Sequence, residues 1–346
     1  RDSSTSRGLG DVYKRQFDNF RQKLILIVNA GCKEIETEYH RAELELESMK
    51  HLILQGAPKE EEPGSLKTEF SQLFKESEYC SMVEKAKSYI CEGDIFQVVL
   101  SNRFEAEYEG SLLDTYRVLR TTNPSPYMFY FSSDDIEIAG ASPETLVKVE
   151  NGVAHTFPLA GTRPRGATQA EDEALEKELL SDEKELSEHN MLVDLGRNDL
   201  GRISEFGSVE VTKYKMIHKY SKIMHICSQV EGNIRKDKDA LDAIASVLPA
   251  GTLSGAPKIR ACEIIDELEK EPRGIYGGAL GYIDFSGNLD TCIAIRMAVK
   301  KNGKVYVQAG GGIVADSKPR MEYEESANKA KAVMLAIENA KEALKP

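Results

Sequence analysis

KELSEHNMLVDLGRNDLGR, residues Lys184 to Arg202, sets two carboxylates, Glu185 and Glu188, three positions apart. EYEESANKA, Glu322 to Ala330, repeats the arrangement with Glu322 and Glu325. Residues three apart on a helix share a face, so each stretch presents two carboxylates in one direction. Two such faces meeting across a cleft would make an all-oxygen site for a hard cation, most naturally Mg2+. Read singly, each pair is equally well a solvated helix face.

Outward from these helices the patterns alternate between strand and helix. Lys23–Asn29 reads as a strand and Cys32–Leu54 as a helix. Gly56–Ser65, GAPKEEEPGS, is charged, punctuated by Pro and Gly, and reads as a linker. Ser77–Glu92 is an amphipathic helix ending at Gly93, and Ile95–Arg103 is a strand with Phe96, Val98 and Leu100 on one face and Gln97 on the other. A helix over Leu112–Leu119 precedes strands at Tyr127–Phe131 and Ile136–Ala141. Glu171–Val193 is helical with a break after Leu180; strands at Ser208–Lys215 and Tyr220–Val230 follow. Helices over Ala240–Val247 and Pro257–Leu268 lead to strands at Ala279–Asp284, Thr291–Val299 and Val305–Ala309, then a last helix, Arg320–Lys341. Strands arriving in hairpins between helices predict antiparallel sheets with helices outside, an α+β layout.

Composition bounds the class. The 346 residues are 41% hydrophobic and 29% charged, ordinary for a soluble globular protein of one large domain or two smaller ones. A net charge of -12 argues against a nucleic-acid binder, yet a local basic pocket or a bound cation still permits anionic substrates. The six cysteines are scattered without CxxC pairs, which predicts reduced thiols and a cytoplasmic setting. No apolar run reaches the length of a membrane span. Residues 1–16, RDSSTSRGLGDVYKRQ, are polar and aperiodic and read as a non-native leader resembling translated adapter sequence. The expected organisation is that leader, residues 17–65 as the remnant of a truncated N-terminal region with its linker, and residues 66–346 as the catalytic domain.

Three loops carry candidate ligand groups. QAGGGIV (Gln308–Val314) has three successive glycines after a strand, which read as an anion nest or as a tight turn. PAGTLSGAPK (Pro249–Lys258) places Thr252 and small donors before a helix, which reads as an anion site or as a capped helix start. PLAGTRPRG (Pro158–Gly166) is a similar loop, with Thr162 and Arg163 as anion contacts. His225, Tyr276 and Arg296, taken alone, read equally as packing residues.

These stretches, with SPETLVKV (Ser142–Val149), PRGIYGGALGY (Pro272–Tyr282) and DTCIAIR (Asp290–Arg296), resemble the chorismate-utilising enzymes. The resemblance runs from about Phe17 to the C-terminus and points within the family to the large subunit of anthranilate synthase. Relatives that activate water carry a lysine where this chain has Gln97, and aminodeoxychorismate synthases carry a lysine nucleophile where it has Ala160. Both absences fit an enzyme fed with ammonia.

The resemblance implies a four-layer α/β/β/α sandwich of two orthogonally packed antiparallel sheets with the active site between them. It implies an Mg2+-dependent amination of chorismate at C2, loss of the C4 hydroxyl and elimination of pyruvate. Metal ligation falls to Glu188 and Glu325, with Glu185 and Glu322 nearby. Glu144 becomes the acid that protonates the departing hydroxyl, and His225 and Thr252 position substrate or handle protons. Gln97, Gly161, Thr162, Tyr276, Arg296, Ala309, Gly310, Gly312 and Lys329 fall to substrate. Ammonia comes from a glutamine amidotransferase subunit, and tryptophan is the expected effector. Asn123, Pro124, Ser125, Pro126, Tyr127 and Met128 match half of that effector's site. An aminodeoxyisochorismate synthase, or a truncated fragment without activity, are the alternatives.

Overall fold

The computed structural model describes residues 13–57, 62–220 and 223–343. The chain divides into two compact units, residues 1–61 and 62–346. In the first unit, β1 (Tyr13–Asp18) pairs antiparallel with β2 (Lys23–Val28), and α1 (Ile35–Gln55) follows. Residues 1–12 of the expected leader lie outside the described residues, while Tyr13–Gln16 belong to β1. Asp18 Oδ1 accepts from the Arg21 amide at 2.9 Å and fixes the turn between the strands. Of the expected linker, residues 58–61 lie outside the described residues.

The second unit holds two antiparallel sheets. β5 (Gln97–Glu109) is the long central strand of the first. It pairs on one side with β17 (Lys304–Ile313) over its length. The rest of that sheet is β16 (Met297–Lys301), β7 (Ile136–Ser142) and β6 (Tyr127–Ser132). The short strands β3 (Ser65–Leu66), β4 (Ser71–Gln72) and β13 (Gly255–Ala256) lie on β5. The second sheet runs in the order β10 (Leu159–Pro164), β12 (Ile223–Asn233), β9 (Val153–Thr156), β8 (Thr145–Glu150), β15 (Leu289–Ile293), β14 (Ala279–Ile283). β11 (Glu210–Lys219) pairs with β12 off that path.

Alternation along β5 explains the layering. Val98, Leu100, Phe104, Ala106 and Tyr108 are buried on one face, as the period of two requires. That face packs under α2 (Glu76–Cys91), α3 (Leu113–Thr122), α7 (Lys258–Glu269) and α8 (Pro319–Ala343), through Tyr79, Val83, Leu119, Ile264, Val333 and Ile337. Each such fully buried side chain contributes roughly 1.5–3 kcal/mol. A second core joins Ile138 and Met297 of the first sheet to Leu146, Val149, Leu289 and Ile293 of the second. It continues into α5 (Glu183–Gly201) and α6 (Ala240–Val247) through Val193, Leu200 and Val247. α4 (Gln169–Leu179) packs on β12 through Leu179, Met224 and Ile226. The result is the α/β/β/α layering expected.

The chain passes between the sheets at two short links, and both carry candidate site residues. Pro143–Glu144 connects β7 to β8, and Ala294–Arg296 connects β15 to β16. The links are tied together: the Ile293 amide donates to the Glu144 carbonyl at 3.0 Å and Ser142 Oγ to the Ile293 carbonyl at 2.7 Å. The Ala141 amide donates to the Arg296 carbonyl at 3.1 Å, and Arg296 adopts φ 53°. The crossing corrects the reading of Thr291–Val299 as one strand: the apolar residues on the two sides of Arg296 serve two sheets.

Three further expectations are corrected. PLAGTRPRG is largely β10, paired antiparallel with β12, rather than a loop. The glycines of QAGGGIV lie inside β17, opposite Val99, Leu100 and Ser101 of β5, rather than after a strand. Phe96, expected on the buried face, precedes β5 and is 73% exposed.

Candidate functional site

A cavity of about 1160 Å3 opens where the sheet links, α5 and α8 converge. The crossing links bring Glu144 and Arg296 to its wall, α5 brings Glu185 and Glu188, and α8 brings Glu322, Glu325 and Lys329. Gln97 of β5, Gly161 and Thr162 of β10, His225 of β12 and Gly312 of β17 also line it. So do Asn123, Pro124, Ser125 and Pro126. Tyr127 instead bonds Thr145 and Asp290, each at 2.8 Å, and Met128 Sδ accepts from the Ser125 amide at 3.3 Å.

Among the residues lining this cavity, Glu144 is the group most displaced from its ordinary protonation behaviour. Burial pushes its carboxyl up to about 7, against the opposing pull of Thr252, whose Oγ1 donates to Glu144 Oε1 at 2.9 Å, and of the Lys329 charge. Thr252 sits in a single 3-10 turn, Gly251–Leu253, between α6 and β13. Ser254 Oγ turns back to the Ala250 carbonyl at 2.8 Å, and Gly255–Ala256 pairs with β5. The PAGTLSGAPK segment is therefore built into the sheet and spends its hydroxyls internally.

His225 places Nδ1 3.1 Å from the Gly161 carbonyl and 3.0 Å from Thr162 Oγ1. A carbonyl only accepts, so the hydrogen-bond pattern assigns the ring proton to Nδ1 and leaves Nε2 an acceptor. Burial lowers the imidazole pKa, which keeps the ring neutral. Gly161 needs its φ of 68°, and a Cβ there would lie 3.0 Å from Leu179.

The two carboxylate pairs face the same space. Glu188 is shifted up by burial first and by Glu185 second, against hydrogen bonding from Gln97 and the charges of Lys184 and Lys329. Glu322 is shifted up by burial, and the Glu325 charge adds to this; Ser317, Lys329 and Lys184 oppose it. Each pair thus senses a lysine of the other helix, which places α5 and α8 across one cavity. Gly311 makes room for the α8 pair, since a Cβ there would lie 3.4 Å from Glu322 Oε2 and 3.5 Å from Glu325 Oε1.

The four glutamates of the two pairs, all oxygen donors in a partly dry cavity, suit a hard divalent cation. Two of the four are held by protein cations: Glu185 by Arg163 at 3.3 Å and Glu325 by Lys329 at 2.6 Å. Among the described residues, no three His, Cys, Asp or Glu side chains gather around one point. A cation could be held by carboxylates drawn together across the cavity.

Four candidates sit elsewhere than expected. Arg163 is no anion contact, being held by Glu178, Asp182 and Glu185 at the α4–α5 junction. Tyr276 is 8% exposed in the core, its ring 5.8 Å from the Arg273 guanidinium. Ala309 is buried, and Gly310 meets the site through its carbonyl, which accepts from Lys329 Nζ at 3.0 Å. Lys184 and Lys318 were not singled out in the sequence and line the cavity. Lys184 stands four residues before Glu188, the helical spacing that could have found it. With Arg296 and Lys329 they make a cationic lining inside a chain of net charge -12.

The family model for chorismate binding enzymes matches residues 11–335. Anthranilate synthase component 1 of Acetivibrio thermocellus is 54% identical over 335 residues, 94% of this chain and 68% of that protein. The component 1 of Pseudomonas aeruginosa is 49% identical over 334 residues, 95% of this chain and 68% of its own length. The crystal structure of anthranilate synthase component I from Streptococcus pneumoniae superposes with a TM-score of 0.80 at 44% identity. It covers 92% of this chain and 71% of that one.

Proposed function

The chain belongs to the chorismate-binding enzymes, among the anthranilate synthase component 1 proteins, and from that premise we propose that it converts chorismate and ammonia to anthranilate and pyruvate. The observation that carries this reading is Glu144. Its carboxyl is held half-protonated near neutral pH, in one cavity with five other carboxylates and four cations. A dicarboxylate losing a hydroxyl needs that combination: an acid for the leaving group and positive charge for the carboxylates.

Thr252 donates to Glu144 Oε1, which leaves Oε2 to carry the acidic proton toward the C4 hydroxyl. Arg296, whose Nη1 is tied to the Lys329 carbonyl at 2.9 Å, and Lys329 hold the enolpyruvyl carboxylate. Gly161 and Thr162 flank the ring, and His225 offers Nε2 as an acceptor for the ammonia or ring proton that must leave. Ammonia needs no base to become a nucleophile, which is consistent with Gln97 and Ala160 at positions without a side-chain base. Glu188 and Glu325, with Glu185 and Glu322 near, are the residues that would hold Mg2+, which when bound would supply Lewis-acid charge.

The ammonia comes from a glutamine amidotransferase partner, a setting supported by the "component 1" names of the relatives. The proposed setting is cytoplasmic, where six scattered, unbridged cysteines stay reduced. Tryptophan is the proposed effector, at the Asn123–Pro126 wall of the same cavity. Product analysis tests the reading: chorismate, Mg2+ and ammonium should give anthranilate and pyruvate in equal amounts by mass spectrometry. An aminated, non-aromatic product without pyruvate would overturn it in favour of an aminodeoxyisochorismate synthase.

A further inference from the structure

A second cavity, of about 60 Å3, meets the substrate cavity at one shared residue, Glu144. Thr252, Thr156, Leu195, Gly196 and Asp199 also line it. Thr156 is 7% exposed, and its Oγ1 is buried with no hydrogen-bond partner. A buried hydroxyl without a partner loses free energy on the order of 1–3 kcal/mol, so native structures rarely leave one dry. The volume exceeds the roughly 10–15 Å3 that one water requires, and hydroxyl and carboxylate groups at its wall supply partners. Gly196 keeps the space open: a Cβ there would stand 3.0 Å from Thr156 Oγ1.

The far wall is as informative. Leu195 and Asp199 also line a surface cavity of about 1470 Å3, which borders the substrate cavity at Gln97, Lys184, Glu188, Val314 and Asp316. Asp199 is held there by Lys258 Nζ at 2.8 Å to both carboxylate oxygens. Glu144 therefore stands between the large cavity and a smaller, mostly apolar chamber whose lining includes the polar groups of Thr156, Thr252 and Asp199.

We propose that this chamber holds ordered water, anchored by Thr156, through which Glu144 recovers its proton while the substrate cavity is occupied. The inference rests on the role of Glu144 in the proposed reaction. In each turnover the Glu144 O–H bond breaks, its proton joins the C4 hydroxyl, the C4–O bond breaks, and water departs. Ammonia's lone pair forms the C2–N bond as the two ring double bonds shift toward C4 and expel the oxygen, and the charged nitrogen then releases one proton to solvent. The later loss of pyruvate removes one ring proton and returns one to the enolpyruvyl methylene. One proton from solvent must return to Glu144, so the count closes. Besides Thr252, the charged or titratable groups acting on Glu144 are Lys329 and Tyr276 on the protein side, with the Asp199–Lys258 pair across the chamber. Thr156 is a positioning residue here, acting through water.

The test compares wild type, Thr156→Val, Thr156→Ser, Gly196→Ala and Glu144→Gln with chorismate, Mg2+ and ammonium. Thr156→Val keeps the shape and removes the hydroxyl. It should lower kcat about tenfold, a fraction of the full general-acid effect. It should leave KM for chorismate unchanged and raise the solvent deuterium isotope effect on kcat. Thr156→Ser should restore both, and Gly196→Ala, which fills the chamber, should mimic Thr156→Val. Wild-type kcat and isotope effect in a folded Thr156→Val would overturn the proposal, as would equal losses in the Val and Ser variants. If Thr156→Val fails to fold, a folded Gly196→Ala with wild-type kcat overturns it instead. Glu144→Gln separates the two claims. Inactive Glu144→Gln beside a wild-type-like Thr156→Val sinks the chamber alone, whereas active Glu144→Gln sinks the acid role itself.

Discussion

α5 and α8 carry the same device, two glutamates three residues apart, and hold it differently. On α5 the outer carboxylate, Glu185, is bound by Arg163 of β10, and the same guanidinium binds Asp182 at the helix N-cap. On α8 the carboxylate Glu325 is bound by Lys329, one turn later on its own helix. The α5 pair is therefore fixed to the sheet. The α8 pair is tied to a lysine that is proposed to hold the substrate carboxylate, and Lys329 Nζ also donates to the Gly310 carbonyl of β17 at 3.0 Å. In the proposed reading, α5 would supply the half of a cation site fixed to the sheet, and α8 the half coupled to the substrate through Lys329.

Removing a carboxylate from either half should break this arrangement most severely. Glu188→Gln or Glu325→Gln should each lower kcat at least about a hundredfold, the scale of a lost electrostatic contact to a transition state. Titration with Mn2+ as a probe should show weakened binding in both variants.

Glu144 is predicted next in effect, and its pH dependence has a definite sign. Its pKa is raised to about 7, so the protonated acid dominates below that value and is lost as pH rises through it. At constant free ammonia, kcat should fall on the alkaline side of about 7. Glu144→Gln should abolish that limb and cost about a hundredfold or more. The same shift makes folding stability decline as pH rises from the ordinary carboxylate range toward 7, because the folded state holds the proton more tightly.

A smaller split separates the two halves. Lys329→Met should raise KM for chorismate about tenfold with a lesser change in kcat, as expected for a lost carboxylate contact. Arg163→Ala should act on stability first, lowering it by about 1 kcal/mol through partly exposed ion pairs, which is about 2–4 °C in Tm for a domain of this size. If Arg163→Ala moved KM as strongly as Lys329→Met, the contrast between a fixed and a substrate-coupled half would fail.

The helices that matter were legible in the sequence because their patterns are local. Ala240–Val247 shows a helical period capped by Asp239, and both glutamate helices carry their spacing on their face. What escaped was set by distant partners. Thr291–Val299 is apolar on both sides of Arg296, and a single arginine within a strand-like stretch does not by itself mark a change of sheet; the left-handed φ of Arg296 appears only in the fold. The glycines of β17 read as a loop because glycine weakens a strand. They stand in one because a Cβ at Gly310 would lie 2.3 Å from the Leu100 carbonyl and at Gly312 2.0 Å from Gln97 Nε2. Arg163 looked like an anion ligand because the carboxylates that hold it come from α4 and α5, 15 to 22 residues away. Glu144 and Thr252 are 108 residues apart, so their hydrogen bond could be placed only through the resemblance.

The most direct measurement is anthranilate fluorescence from the purified chain given chorismate, ammonium and Mg2+, with and without EDTA, beside Glu325→Gln. A signal in the wild type that EDTA and Glu325→Gln each abolish is the predicted result. A wild-type signal that survives both would contradict the claim that the facing glutamates of α5 and α8 hold the cation on which turnover depends.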